Sequence, residues 1–177
     1  MVITSPPYLN AIDYLRGHKL YLVWMGHQVD HLRDLRSANI GTERLHNAAG
    51  AQPYQQILEK AVHDFAQLPT RTQAMLSQYF FDMSRVLAEI ARILKPSGEA
   101  VIVVGNSTIR GTYITTSKVL TRIARNHGLR LTSSRRRELK ESRRYLPPPA
   151  RVDADATLKS RMNEEVILAF HKTALAS

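Results

Sequence analysis

A short run near the start of the sequence, Thr4-Ser5-Pro6-Pro7-Tyr8, holds groups that could do chemistry on a flat ring bearing an amino group. The Ser5 hydroxyl and a main-chain carbonyl can both accept hydrogens from an amine. The two prolines fix φ near about −65°, so the turn would hold these acceptors in one geometry. The Tyr8 ring offers a flat face on which another planar ring could stack.

The segments on either side of this turn predict where it lies in the fold. Val2 and Ile3 come before it and are typical of a strand, and the apolar spacing after it predicts a helix from about Asn10 to Met25. In α/β enzymes the chemistry is found in loops that follow the carboxyl ends of strands. The turn is therefore expected at such an end.

The rest of the sequence alternates helices with strands. Apolar spacing predicts helices at 54–67, 70–94 and 113–126, and strands at 99–106, 129–139 and 164–172. Segment 27–53 mixes charge with small residues and is predicted as a loop or insertion, with a short helix around 29–35. Residues 141–163 are too irregular for a crossover helix, so the last two strands are predicted to pair antiparallel. The whole chain, 1–177, is predicted as one α/β domain.

Composition narrows the classes of partner. The chain has 25 Lys and Arg against 15 Asp and Glu, a formal charge of +10 that favours nucleic acid, although a generic basic surface would give the same count. The hydrophobic content of 44% is typical of a globular protein. The absence of cysteine excludes disulfides and thiolate metal sites. The start has no leader pattern and no apolar run is long enough for a membrane span, so a cytoplasmic location is expected.

The run Thr4-Ser5-Pro6-Pro7-Tyr8 resembles the catalytic motif of the S-adenosylmethionine-dependent DNA amino-methyltransferases. The serine form is that of the N4-cytosine branch, whereas the adenine-N6 enzymes usually carry Asp or Asn at the position of Ser5. The resemblance implies that Ser5 and the Pro6 carbonyl orient the target amine. It also implies that Pro7 stiffens the turn and that Tyr8 stacks on the extruded base.

A Rossmann-like class I methyltransferase fold is implied by the same resemblance. Lys95-Pro96-Ser97-Gly98 is similar to the turn that leads into the fifth strand of many such enzymes, whose sixth and seventh strands form a hairpin like the one predicted above. The family binds S-adenosylmethionine with a Gly-rich loop, and no Phe-x-Gly-x-Gly stretch is found here. The chain is therefore expected to be the C-terminal half of the fold, with a mostly parallel sheet. The cofactor-binding half would lie upstream, lie on another chain, or be lost.

The cofactor implied by the resemblance is S-adenosylmethionine, and Thr4, Asn10 and Asp13 are the candidate cofactor-binding residues. Asn10 would serve equally well as a helix cap, and Asp13 as a solvated acid of the first helical turn. Residues 105–107, which follow a strand, either line the site or form an ordinary turn. An incomplete sheet would leave the strand at Thr4 with an open edge, so a partner chain or a homo-oligomer is expected.

A basic cluster in the last third of the chain is the candidate DNA interface. Its members are Arg135, Arg136, Arg137, Lys140, Arg143 and Arg144. Phosphate contacts from these residues would set affinity and salt dependence rather than sequence choice, although a solvated strand face would have the same composition. His27 and His31 are spaced as in a helical metal pair, but no third ligand is evident and no metal is expected.

Together these features predict transfer of a methyl group from S-adenosylmethionine to an exocyclic amino group of a flipped DNA base, with cytosine N4 favoured over adenine N6. The amine is expected to attack directly, without a covalent intermediate, and the resemblance implies a role in restriction and modification. Two alternatives stay open. One is a non-catalytic nucleic-acid-binding remnant of a methyltransferase. The other is an amino-methyltransferase acting on RNA or protein, whose families commonly carry Asn or Asp in place of Ser5.

Overall fold

The computed structural model describes residues 1–9, 14–40, 48–139 and 164–173. The strands are β1 (Val2–Thr4), β2 (Glu99–Gly105), β3 (Ser107–Ile109), β4 (Thr112–Ile114), β5 (Leu129–Glu138) and β6 (Glu164–Lys172). The helices are α1 (Tyr14–Trp24), α2 (Val29–Ala38), α3 (Ala48–Ala61), α4 (Thr70–Ile93) and α5 (Thr116–Asn126), with a short 3₁₀ helix at Phe65–Gln67. None of the helices in these ranges has the length and apolar character needed to cross a membrane.

Four strands form one sheet in the order β1-β2-β6-β5. β1 pairs parallel to β2, and β6 pairs antiparallel to both β2 and β5, so three of the four strands run in one direction. The predicted α/β sheet with a terminal antiparallel hairpin is therefore confirmed. Because β6 runs the opposite way, its first residues lie at the edge where β1 and β2 end, with Glu165 opposite Gly105.

One face of this sheet packs against the helices and forms one side of the hydrophobic core. Alternate residues of β2 and β6 are buried, as expected for the two-residue repeat of a strand: Ala100, Ile102, Val104, Val166, Leu168 and Phe170. The inner faces of α4 and α5 belong to the same apolar cluster. On α4 the apolar face predicted from the sequence is confirmed, since Leu76, Phe80 and Leu87 are completely buried. The core thus sets the spacing between α4 and the strand ends.

The turn after α4 is fixed from two sides. Pro96 cannot continue a helix, and Ser97 takes a left-handed conformation with φ of 60°. A Cβ atom on Gly98 would come within 2.8 Å of the Lys95 carbonyl oxygen, so the turn requires glycine at that position. The main-chain N–H of Lys172 donates to the Gly98 carbonyl at 2.9 Å. This bond aligns the start of β2 with the end of β6.

The start of α5 differs from the sequence prediction. α5 begins at Thr116 rather than at Tyr113, because residues 107–114 pair as the β3–β4 hairpin. The hairpin turns at Arg110 and Gly111, whose φ values are 50° and 82°, as in the two-residue turns that match strand twist. These short polar strands have too little apolar alternation to be recognised in the sequence.

The segment 27–53 contains more helix than predicted, and its predicted short helix around 29–35 is confirmed as α2. α2 occupies Val29–Ala38 and α3 already begins at Ala48, so much of the segment is helical, while residues 41–47 lie outside the described ranges. Pro53 lies inside α3 and made the sequence there typical of a loop. Residues 10–13, where the first helix was predicted to begin, are also outside the described ranges.

Candidate active site

The turn of residues 5–8 leaves the sheet at the carboxyl end of β1, next to β2. Two hydrogen bonds from other elements hold the main chain there. The Tyr79 hydroxyl on α4 donates to the Pro7 carbonyl at 2.9 Å, and the Ser107 hydroxyl donates to the Leu9 carbonyl at 2.8 Å. Burial raises the pKa of Tyr79, so its hydroxyl remains a donor at neutral pH. The turn is thus positioned by α4 and by the start of β3.

The Tyr8 hydroxyl lies in the middle of a short hydrogen-bonded chain. It donates to Oε1 of Glu165 at 2.8 Å and accepts from the Ser5 hydroxyl at 3.3 Å. Burial is the main cause that raises the pKa of Tyr8 to about 12; the Ser5 hydrogen bond acts against it and the Glu165 carboxylate adds to it. Tyr8 therefore keeps its proton at neutral pH. Because the Ser5 hydrogen is directed at Tyr8, the Ser5 lone pairs are left to accept from other groups.

Glu165 connects Tyr8 to strand β5. Its Oε2 atom accepts from the Arg137 guanidinium, with Nε at 3.1 Å and Nη2 as a second donor. The side chain of Glu165 is 12% exposed and that of Arg137 is 58% exposed. The two residues face each other in the β5–β6 register. The ion pair compensates for the removal of the carboxylate from water.

The neighbouring Glu164 forms a second network. Its Oε1 atom accepts from the Tyr113 hydroxyl at 2.9 Å and from the Asn106 side-chain amide at 3.1 Å, and Arg136 Nη1 lies 3.8 Å from Oε2. The Tyr113 bond, followed by the Asn106 bond, lowers the pKa of Glu164. Asn106 also accepts the main-chain N–H of Ser117 at 3.1 Å, which satisfies one donor at the start of α5. The residues after β2 thus line this edge of the sheet.

The predicted site residues fall into three groups. Thr4, Ser5, Pro6, Pro7 and Tyr8 lie together at the end of β1 and in the turn after it. Arg135, Arg136 and Arg137 are exposed on β5; Arg137 lies opposite Glu165, and the Arg136 guanidinium lies 3.8 Å from Glu164. Asn10, Asp13, Lys140, Arg143 and Arg144 lie outside the described residues, and their roles stay predictions. Among the described residues no group of three side chains suited to a metal ion is found. His27 and His31 are among these residues and belong to no such group.

Four residues at this edge of the sheet were not predicted from the sequence: Tyr79 and Glu165, which bond to the turn, and Glu164 and Tyr113, which form the second network. A signal for the two glutamates existed, because a strand antiparallel to β2 must begin at the edge where β2 ends. Two acidic residues at the start of such a strand would therefore lie at the site. Tyr79 gave no comparable signal, since it is one of several large side chains on the buried face of α4.

Comparison with known proteins gives relatives at low identity, and no protein-family model matches the chain. The chain is 25% identical over 157 residues to the type II methyltransferase M.BsoBI of Geobacillus stearothermophilus. This match covers 73% of this chain and 31% of the relative. It is 28% identical over 144 residues to the type II methyltransferase M.AvaI of Nostoc sp., which covers 72% of this chain and 30% of the relative. The chain thus spans less than a third of the length of these curated relatives.

The chain is also similar to a solved structure from Thermus thermophilus, that of TTHA0409. This protein is described as a DNA modification methylase, and its structure is a complex with S-adenosyl-L-methionine. It is 22% identical, with a TM-score of 0.41, over 56% of this chain and 39% of that chain.

The Glu164 network predicts a pH dependence of stability. Because the pKa of Glu164 is lowered in the folded protein, its contribution is present above the ordinary value of 4.5 and is lost as the pH falls through the folded value. Tyr113→Phe removes the main cause of that lowering. The variant is expected to be less stable at neutral pH by about 0.5 to 1 kcal/mol, with a smaller difference at an acidic pH where Glu164 is protonated in both proteins.

Denaturant unfolding of both proteins at the two pH values measures this difference. Tyr21→Phe, on the exposed surface of α1, is the matched control and should follow the wild type at both. An equal loss of stability on acidification in Tyr113→Phe and in the wild type would contradict the assignment.

Proposed function

We propose, on the premise that this chain is a relative of the type II DNA methyltransferases, that it positions the target base in methyl transfer from S-adenosylmethionine to DNA. The acceptor is an exocyclic amino group, and we infer that it is cytosine N4. The observation that supports this most directly is the turn of residues 5–8, held at the carboxyl end of β1 with the Ser5 hydroxyl bonded to Tyr8. Ligands of open α/β sheets gather at such strand ends.

The chemistry required of these residues follows from the electronic structure of the amine. Its nitrogen lone pair is conjugated with the ring, so the nitrogen is a poor nucleophile until its hydrogens are held by acceptors. In the proposal the Ser5 oxygen and the Pro6 carbonyl accept these two hydrogens. The Pro7 carbonyl is already bonded to Tyr79, and the choice of the Pro6 carbonyl is what the resemblance to the DNA amino-methyltransferases implies. The Tyr8 ring stacks on the extruded base and offsets part of the cost of unstacking it.

S-adenosylmethionine supplies an electrophilic methyl group when it is bound. The residues of this chain do not by themselves fit a site for it, because the sequence contains no Gly-x-Gly stretch to approach the cofactor closely. Thr4, at the end of β1, stays a proposed cofactor contact, together with Asn10 and Asp13.

The cofactor-binding segment is proposed to pack beside β1. Within the described residues β1 is an edge strand that pairs with β2 alone, and its central residue Ile3 is 66% exposed. An edge with free main-chain donors and acceptors is a template for another strand. The share of the curated relatives that this chain matches, 31% and 30%, agrees with a function that needs further segments. A second copy of the chain is the other candidate for this edge.

DNA is the proposed polyanionic partner, and β5 the proposed contact with its backbone. The formal charge of +10 and the exposed side chain of Arg135 support this. Arg136 and Arg137 already lie beside Glu164 and Glu165, which neutralise part of their charge. Of the three arginines at 135–137, Arg135 is therefore the one from which the largest phosphate contribution is expected.

Substitutions in the turn test the proposed function. Ser5→Ala removes an acceptor of the amine and is expected to lower the rate of methyl transfer to DNA about a hundredfold, by analogy with single preorganised hydrogen-bonding groups in other active sites. Tyr8→Ala removes the stacking ring and is expected to weaken DNA binding about tenfold or more. Both are measured with a labelled methyl donor and DNA, using the protein with its cofactor-binding segment. Glu89→Gln, on the surface of α4, is the control.

The outcomes separate the proposal from its alternatives. Unchanged methyl transfer in both variants would exclude the turn as the site. A wild type that binds DNA but transfers no methyl group would favour the non-catalytic remnant, and methyl transfer to RNA or protein alone would favour the other alternative.

The salt dependence of DNA binding tests the role of β5. Arg135→Ala is expected to reduce the slope of log K against log salt by about one, because one phosphate contact and its released counterion are lost. Fluorescence anisotropy with a labelled duplex over a range of salt concentrations measures the slope. Arg92→Ala, which removes an arginine paired with Glu89 on α4, should leave it unchanged. An unchanged slope in Arg135→Ala would remove this residue from the interface.

A further inference from the structure

Glu165 sets the direction of both hydroxyl groups in the turn. A carboxylate oxygen can only accept hydrogen bonds, so the Tyr8 hydrogen points at Oε1 of Glu165, 2.8 Å away. The Tyr8 oxygen in turn accepts the hydrogen of Ser5 at 3.3 Å. Each hydroxyl has one hydrogen, so both hydrogens are used within this chain of bonds. What Ser5 offers to a ligand is therefore its oxygen lone pairs.

The Glu165 carboxylate is held in a rigid part of the fold. β6 lies between β2 and β5, and Glu165 faces Gly105 on one side and Arg137 on the other. Arg137 occupies Oε2, which leaves Oε1 for Tyr8. The side chain is 12% exposed, so competition from water is reduced. The bond to Glu165 thus anchors the loop that carries Tyr8 to a central strand of the sheet. Accurate placement of a functional group requires such support from a regular element.

This chain of bonds also affects the strength of Ser5 as an acceptor. Hydrogen bonds in series polarise one another, and in this series the Tyr8–Glu165 bond is partly buried whereas the Ser5–Tyr8 bond is exposed. A hydroxyl that donates towards a carboxylate gains electron density on its oxygen. An amine whose lone pair must leave conjugation needs strong acceptors for its hydrogens. The negative charge of Glu165 polarises the Tyr8 hydroxyl and, through it, the Ser5 hydroxyl. The Ser5 oxygen thereby becomes a stronger hydrogen-bond acceptor for the amine.

We propose that Glu165, held by Arg137, is a positioning residue that turns the Tyr8 and Ser5 hydrogens away from the target amine and fixes the Tyr8 ring for stacking. This inference rests on the proposed function. Glu165 acts through Tyr8 and does not touch the base. Arg137, predicted from the sequence as a phosphate contact, is assigned to the support of Glu165.

The isosteric substitution Glu165→Gln tests this proposal. The amide keeps the size of the side chain, but its NH₂ group can turn towards Tyr8 and donate, so the direction of the two hydroxyl hydrogens is no longer fixed. The Tyr8 ring is followed by NMR of protein with carbon-labelled tyrosine, and Tyr8→Phe assigns its signal. Glu99→Gln, at the opposite end of β2, is the matched control. Thermal unfolding of each variant verifies that it is folded.

Two readouts distinguish positioning from a merely structural role. The pKa of Tyr8, about 12 in the wild type, is expected to fall in Glu165→Gln because the negative charge beside the phenol is lost. The affinity for deoxycytidine monophosphate, measured from the shift of the Tyr8 signal, is expected to be about fivefold weaker in Glu165→Gln. Both should be unchanged in Glu99→Gln. Glu165→Ala, which removes the acceptor and the bulk, should lose at least as much affinity.

Wild-type affinity for deoxycytidine monophosphate in folded Glu165→Gln would overturn the proposal, and so would an unchanged pKa of Tyr8. If the Tyr8 signal of the wild type does not respond to the nucleotide, the proposed function fails at its stacking step and the positioning role fails with it. The pKa of Tyr8 would still fall in Glu165→Gln in that case, so the two failures are distinguishable.

Discussion

The hydrogen bond from the Tyr8 hydroxyl to the Glu165 carboxylate joins the start of the described chain to its last strand, and the geometry of the site depends on it. The two residues are 157 positions apart in sequence. One is in a loop after an edge strand and the other is in a central strand of the sheet. A loop alone would sample many conformations, and ordering it costs conformational entropy. The bond to an ion-paired carboxylate offsets part of that cost.

The rest of the fold makes this bond reachable. β6 must run antiparallel to β2 for its first residues to meet the end of β1, and the turn after α4 fixes where β2 begins. α4 then contributes Tyr79, whose hydroxyl donates to the Pro7 carbonyl. The stiffness of the two prolines is therefore combined with anchors from two separate elements. Preorganisation of this kind is what the proposed orientation of an amine would require.

Much of the fold could be predicted from the sequence, because its main signals are local. The spacing of apolar residues predicted β2, the buried face of α4 and β6. The antiparallel pairing of β5 with β6 was predicted because the segment between them is too irregular for a crossover helix. The β3–β4 hairpin was missed because its strands are short and polar. The start of α3 was missed because Pro53 is typical of a loop.

The site could be predicted only in part, for a physical reason. The turn of residues 5–8 carries its chemistry in consecutive residues, so its resemblance to the DNA methyltransferases was visible, and the type II methyltransferase relatives confirm that resemblance. The supporting bonds join residues 72 and 157 positions apart, and no local pattern encodes such a contact. Arg137 illustrates the difference: its charge suggested phosphate, whereas its position opposite Glu165 gives it a partner within the sheet.

The turn of residues 5–8 is proposed to orient an amino group of a DNA base for methylation. The most direct test is mass spectrometry of nucleosides from DNA incubated with S-adenosylmethionine, this protein and the proposed cofactor-binding segment. N4-methyldeoxycytidine is the expected product. DNA free of any methylated deoxynucleoside would contradict the proposed role of the turn, and N6-methyldeoxyadenosine as the product would contradict the inference that cytosine is the target.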